Sequence, residues 1–335
     1  MSAYGKRECR HRQRLPVGVG EDQTDTMRAK RWALAAVAPG LAGCGRLDEL
    51  IYAPPTTPQQ WCEQHPCIAV GGTVLDEPLG SALVFLLAGL WLAAGTYFLV
   101  TRRDQSSRFW LGIALVLGGT GAALAGISYQ AFGYVLKCAG RDLCLLTDGF
   151  EVGYSVMQAL SVSAMLIAVS YACAAAGLRR GLIAYAALNA VVYGTISIAG
   201  VMMPSALLLS YVVLMLFALP GILIVALIST RRYLRNHDAL DQSLMISTFL
   251  LIVVQAAYFA YQSAGLTATL WDDGRGTYFS ENDVLHVGMM LSCLRAPQTV
   301  PPATETTPRR SPAPSPCAPR RNRTGACART RRSGR

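Results

Sequence analysis

The sequence predicts an all-α, polytopic membrane helical bundle of about seven transmembrane helices, the last of them truncated. Three observations predict it. The chain is 52% hydrophobic and only 15% charged, too apolar for an ordinary soluble domain. Its apolar residues come in runs close to the ~20 that a bilayer crossing requires. Lys and Arg gather in alternate connections between those runs, as they do in membrane proteins of fixed orientation.

Met27-Arg28-Ala29-Lys30-Arg31 leads into an apolar run from Trp32 to Ala42, closed by Leu41-Ala42-Gly43-Cys44. A basic start, a short apolar run and small residues at a cleavage point make a secretory signal. The ending resembles the bacterial lipobox, which makes Cys44 the lipidated residue and the inner membrane of a bacterium the expected location. Residues 1–43 are then a spurious leader plus signal, and residues 44–78, rich in Pro, Thr and Gln, an extracytoplasmic linker.

The bundle is expected over residues 79–294, with spans at 79–100, 109–136, 152–177, 181–202, 206–229 and 243–263 and a seventh beginning near Asp283. Arg102, Arg103 and Arg108 follow the first span, Arg179 and Arg180 the third, and Arg231, Arg232 and Arg235 the fifth. The positive-inside rule then sets the N-terminus outside, in agreement with the signal sequence. Gly118, Ala122 and Gly126 form a small-residue face for close helix approach. Pro220 stands in the fifth span, where a proline kinks a helix. Trp110 and Trp271 mark span ends, as interfacial anchors do.

The net charge of +10 suggests nucleic acid until it is located. Residues 295–335 hold ten Arg against one acid, Glu305, so this tail carries +9 and the rest of the chain only +1. The expected partner is membrane lipid, with no nucleic acid. The tail has the composition of a disordered segment. It follows a half-finished seventh span, so a frameshift is its expected origin.

Cysteines divide by topology. Cys62, Cys67, Cys138 and Cys144 all fall outside by this orientation, where oxidised pairs persist as structural disulfides. Four cysteines allow three pairings. A thiol redox protein is the alternative, although the chain has no C-x-x-C among them.

Polar residues recur at the same ends of the spans. Asp76 and Glu77 open the first, Ser128 and Gln130 lie near the end of the second, Asp148 and Glu151 open the third, and Asn282, Asp283 and His286 open the seventh. His286 shares a helix face with Asn282 and Asp283 by i+4 and i+3 spacing. Ionisable groups at membrane depth face a bundle interior or a cavity, so these residues converge on a pocket in the outer leaflet. Asp148 and Asp283 also suit helix N-termini as caps.

At these positions the chain resembles the seven-span superfamily that joins alkaline ceramidases with adiponectin- and progestin-type receptors. Glu77-Pro78-Leu79-Gly80-Ser81, followed by Leu86-Leu87-Ala88-Gly89-Leu90, is similar to the first span of that family. Ser128 matches a serine of the second span, Asp148 an aspartate near the third, and His286 the second histidine of the seventh. The resemblance implies zinc on His286, Asp148 and Ser128, with Asp283 or Glu151 as acid–base in hydrolysis of a lipid amide. Phe132 and Asn282 stand where the family has its other two histidines.

The functional expectation is a polar pocket for a lipid or small ligand on a degenerate hydrolase-like bundle, with the metal-dependent amide hydrolase and the thiol redox protein as alternatives. Reading the DNA in the other frames after codon 291 is expected to extend the apolar run of the seventh span. A tail encoded without such a run would make the short helix genuine.

Overall fold

The computed structural model describes residues 44–237, 239–272 and 278–295. The leader and signal stretch 1–43 and the tail beyond Arg295 lie outside the described residues. The chain is a multi-pass helical bundle with one two-stranded hairpin. Helix α1 (Cys44–Leu47) is a single turn, and α2 (Pro58–Gln64) begins with a capping box between Thr57 and Gln60 and a proline in its first turn. Strands β1 (Ile68–Val70) and β2 (Thr73–Leu75) pair antiparallel around Gly71-Gly72. Both glycines take positive φ, 56° and 86°, which a two-residue hairpin turn requires.

The bundle follows as α3 (Pro78–Val100), α4 (Ser106–Ala125), α5 (Gly149–Cys173), α6 (Ala176–Met202), α7 (Tyr211–Asn236), α8 (Ala239–Ser263), the short α9 (Leu266–Asp272) and α10 (Glu281–Arg295). Six of these helices are long and apolar enough to cross a membrane. Their outward faces carry bare aliphatic surface: Leu188 is 62% exposed, Val212 71% and Leu216 69%. Apolar exposure on this scale matches a lipid environment. Helix α10, with 15 residues, is roughly 22 Å long and too short to span.

Helix contacts run from α3 to α4, α5, α7, α8 and α10, and α10 closes the circuit on α3. Helix α6 packs on α5 and touches α7 only lightly. The small-residue face works as its spacing suggests. A Cβ on Gly118 would stand 2.6 Å from the Trp91 ring, and one on Gly126 the same distance from Val84. Helix α10 docks through Gly288, whose hydrogen faces Val254 of α8 with no room for a side chain.

The second span departs from the continuous helix expected over 109–136. From Gly126 it widens into two π-helical segments, Gly126–Ala131 and Tyr134–Cys138. π turns shift carbonyls off the α register. Here the carbonyl of Gln130 accepts from the Glu77 N–H (2.8 Å) and that of Ala131 from the Asp76 N–H (3.2 Å).

Residues 44–78, read from composition as a linker, carry an ordered cap over this end of the bundle. The Leu146 N–H donates to Leu50 O and the Cys144 N–H to Thr56 O, each at 2.8 Å. Disulfides Cys62–Cys67 and Cys138–Cys144 pack with Tyr52, Tyr134 and the buried Trp61 in one small core. Bridges and one indole thus replace the long apolar run that the composition lacks. Trp271, expected as an interfacial anchor, binds this cap by donating Nε1–H to Glu63 O (3.1 Å). Trp110 packs on the core formed by α5, α6 and α7.

At the opposite end Arg232 is more than a loop charge. It lies in the last turns of α7, and its Nε donates to both Asp241 oxygens of α8 (2.9 and 3.1 Å). Its Nη1 reaches Cys173 O at the end of α5 (2.9 Å). The Asp241 side chain is fully buried while Arg232 keeps 32% exposure. Removing one partner of a buried pair strands the other. Asp241→Ala is therefore expected to cost about 3 kcal/mol, read as a lower midpoint in denaturant titration in detergent. Arg232→Lys, which loses the bidentate fork, is expected to lie between it and the wild type.

Candidate functional site

The predicted residues fall into two adjoining clusters beneath the cap. The widened end of the second span divides them, since Ser128 and Tyr129 serve one cluster and Gln130 the other.

In the first cluster Asp148 is the N-cap of α5. Its Oδ1 accepts the N–H groups of Phe150 (2.7 Å) and Glu151 (3.1 Å). Its Oδ2 accepts the Ser128 hydroxyl at 2.6 Å. Glu151, one turn on, accepts from Lys137 Nζ at 2.8 Å and from the Tyr129 hydroxyl. Lys137 is fully buried, and its ammonium stands 4.7 Å from the centre of the Tyr129 ring, a cation–π geometry. Burial works against this charge, but Glu151 outweighs it, with further help from Tyr52 and Asp148, and holds Lys137 above the usual lysine range.

The second cluster joins the starts of α3 and α10. Ser280 and Asp283 form a reciprocal cap, in which Asp283 Oδ2 accepts the Ser280 N–H at 2.8 Å and its hydroxyl at 3.2 Å. Asp283 Oδ1 and Glu77 Oε2 turn toward Gly80. A Cβ there would lie 3.0 Å from the first, 3.1 Å from the second and 3.0 Å from Gln130 Cγ. Only glycine fits. Asp76 Oδ2 accepts the Tyr134 N–H (2.6 Å) and the Trp61 indole N–H (3.3 Å), which ties this cluster to the cap. His286 is 7% exposed, and Asn282 is half-buried beside Asp283.

Polar atoms here are short of partners. Asp76 Oδ1, Glu77 Oε2, Ser81 Oγ, Gln130 Oε1, Asp283 Oδ1 and His286 Nδ1 are all buried without a hydrogen bond, where buried polar groups are normally paired. Burial pushes Glu77 up to about 8, and the neighbouring Asp283 adds to the rise. Burial likewise lifts Asp76 to about 6, against the Tyr134 N–H and the Trp61 indole.

The zinc implied by the family resemblance fits these residues poorly. Asp148 spends its oxygens on Ser128 and two backbone N–H groups. Among the described residues no three His, Cys, Asp or Glu side chains gather at metal-holding distance. Phe132 is 37% exposed, a ring where a ligand would stand. Cys62–Cys67 and Cys138–Cys144 are both bridged, and Cys138 and Cys144 are fully buried.

Lys137, Tyr129, Tyr278 and Gly80 were not singled out by sequence reasoning for this site. Lys137 and Tyr129 sit on widened turns, so α-helical spacing does not align them with Glu151. A lysine inside the apolar run Tyr134-Val135-Leu136-Lys137-Cys138 was the available signal, because a cation there needs an acid. Lys137→Met is expected to destabilise by about 3–5 kcal/mol, as the loss of one partner of a buried pair does. Lys137→Met with Glu151→Leu is expected to recover most of that loss. Thermal unfolding in detergent distinguishes the two.

Comparison with protein-family models, with curated proteins and with solved structures gives no match to this chain.

Proposed function

We propose that the cluster beneath the cap is a pocket that binds a membrane lipid or small ligand from the outer leaflet. One observation carries this reading: six buried polar atoms within two neighbouring helix starts and one widened turn have no partner. Four of them are oxygens of Asp76, Glu77, Gln130 and Asp283, so the fitting ligand offers hydroxyl or amine hydrogens. A protein that only needed a packed helix junction would fill these positions with apolar side chains at less desolvation cost. The expected setting is the bacterial inner membrane with the cap outside.

The hydrolase reading keeps one support, the 2.6 Å contact of Ser128 with Asp148, which joins two positions that the family resemblance assigns to zinc. Metal analysis of the purified protein separates the readings.

Native mass spectrometry of protein extracted in mild detergent is expected to find one co-purified lipid or small molecule per chain. Gln130→Leu is expected to reduce its retention by about tenfold, the effect of losing one hydrogen bond of ~1.4 kcal/mol. Wild-type protein with no bound molecule would overturn the pocket. Stoichiometric zinc that His286→Ala removes would move the conclusion to the amide hydrolase.

A further inference from the structure

We propose that Glu77 and Asp283 share a single proton, and that this proton latches the start of α10 to the start of α3. Two carboxylate oxygens converge on the Gly80 backbone, at 3.1 and 3.0 Å from its Cβ position, and neither has a hydrogen-bond donor. Two ionised carboxylates that face one small space repel, and a single proton held by the pair removes that repulsion. When the proton leaves to water, both are anions.

Among the described residues no cation acts on Glu77. From α10 come Glu281 and His286, whose Nδ1 has no partner, and from the preceding segment comes Tyr278, whose hydroxyl hydrogen-bonds Glu77 and offsets part of its rise. From the cap comes Asp76, held by Trp61 and Tyr134. The widened turn gives the neutral Gln130. The one buried cation nearby, Lys137, is paired with Glu151. The charges acting on Glu77 are Asp283, Asp76 and Glu281, all acidic. A proton is therefore the smallest charge that relieves the site.

The sign follows from the raised acid. Glu77 keeps its proton up to about pH 8, well above an exposed glutamate, so the latch is complete at low pH and is lost as pH rises through that value. Both oxygens flank the space where a Gly80 side chain would begin. Relief comes from α10, which is held on the other side by Gly288 against Val254. Loosening at its first turn opens the pocket between α3 and α10. As a control on ligand access the latch rests on the pocket reading, but as a latch it works with no ligand present.

Hydrogen exchange of the detergent-purified protein tests this, with rates corrected for the intrinsic effect of pH. Protection of residues 279–288 is expected to fall roughly tenfold between about pH 6 and pH 9.5 in the wild type. Glu77→Gln and Asp283→Asn carry a permanent donor in place of the proton and are expected to hold that protection across the range. Level wild-type protection overturns the proposal, and so does a Glu77→Gln protein that loses protection as the wild type does. Lipid retention, measured on the same preparations at pH 6, fails or holds independently of this response.

Discussion

Two backbone hydrogen bonds hold the capped end of this protein together. The N–H groups of Asp76 and Glu77 donate to the carbonyls of Ala131 and Gln130, which an unbroken α-helix would have spent on its own turns. The widened end of the second span is therefore what lets the chain enter the membrane against it. With Glu77 fixed there, its carboxyl faces Asp283. With Asp76 fixed there, its carboxylate anchors Trp61 and, through it, both disulfides. Cap, bundle and site meet at this one junction.

Electrostatics then sort the buried charges into two kinds. Lys137 and Glu151 neutralise each other, and the Tyr129 hydroxyl and ring complete the shell around them. This cluster is satisfied, and its role is to set the N-terminal turn of α5 against the second span. Across the π turn, Asp76 has backbone and indole donors, Asp283 the N–H and hydroxyl of Ser280, and Glu77 the Tyr278 hydroxyl, and among the described residues no cation pairs with any of them. The contrast makes the second cluster the chemically open one.

Much of the fold was legible because membrane spans announce themselves by length and hydrophobicity, and a bilayer permits few alternatives. The six long spans and the close helix approach at Gly118 read correctly for that reason. The cap was not legible. Its order comes from two short-range disulfides and one indole, and Pro-, Thr- and Gln-rich composition hides such a core. The site was half legible. Ser128, Gln130, Asp148 and Asp283 stood out as polar groups at helix ends, and all four are buried. Their grouping could not be read, because α-helical spacing fails across the π segments and puts Gln130 with Glu77 and Asp283 while Ser128 turns to Asp148.

The closure of α10 onto α3 also sets an order of events during synthesis. Glu77 enters the membrane with the first long helix and Asp283 with the last described one, so every intervening span is made while the first carboxyl has no mate. The helix circuit is a ring whose final piece completes the packing. Until residues 281–295 arrive, the nascent bundle carries an open seam along α3 and α8.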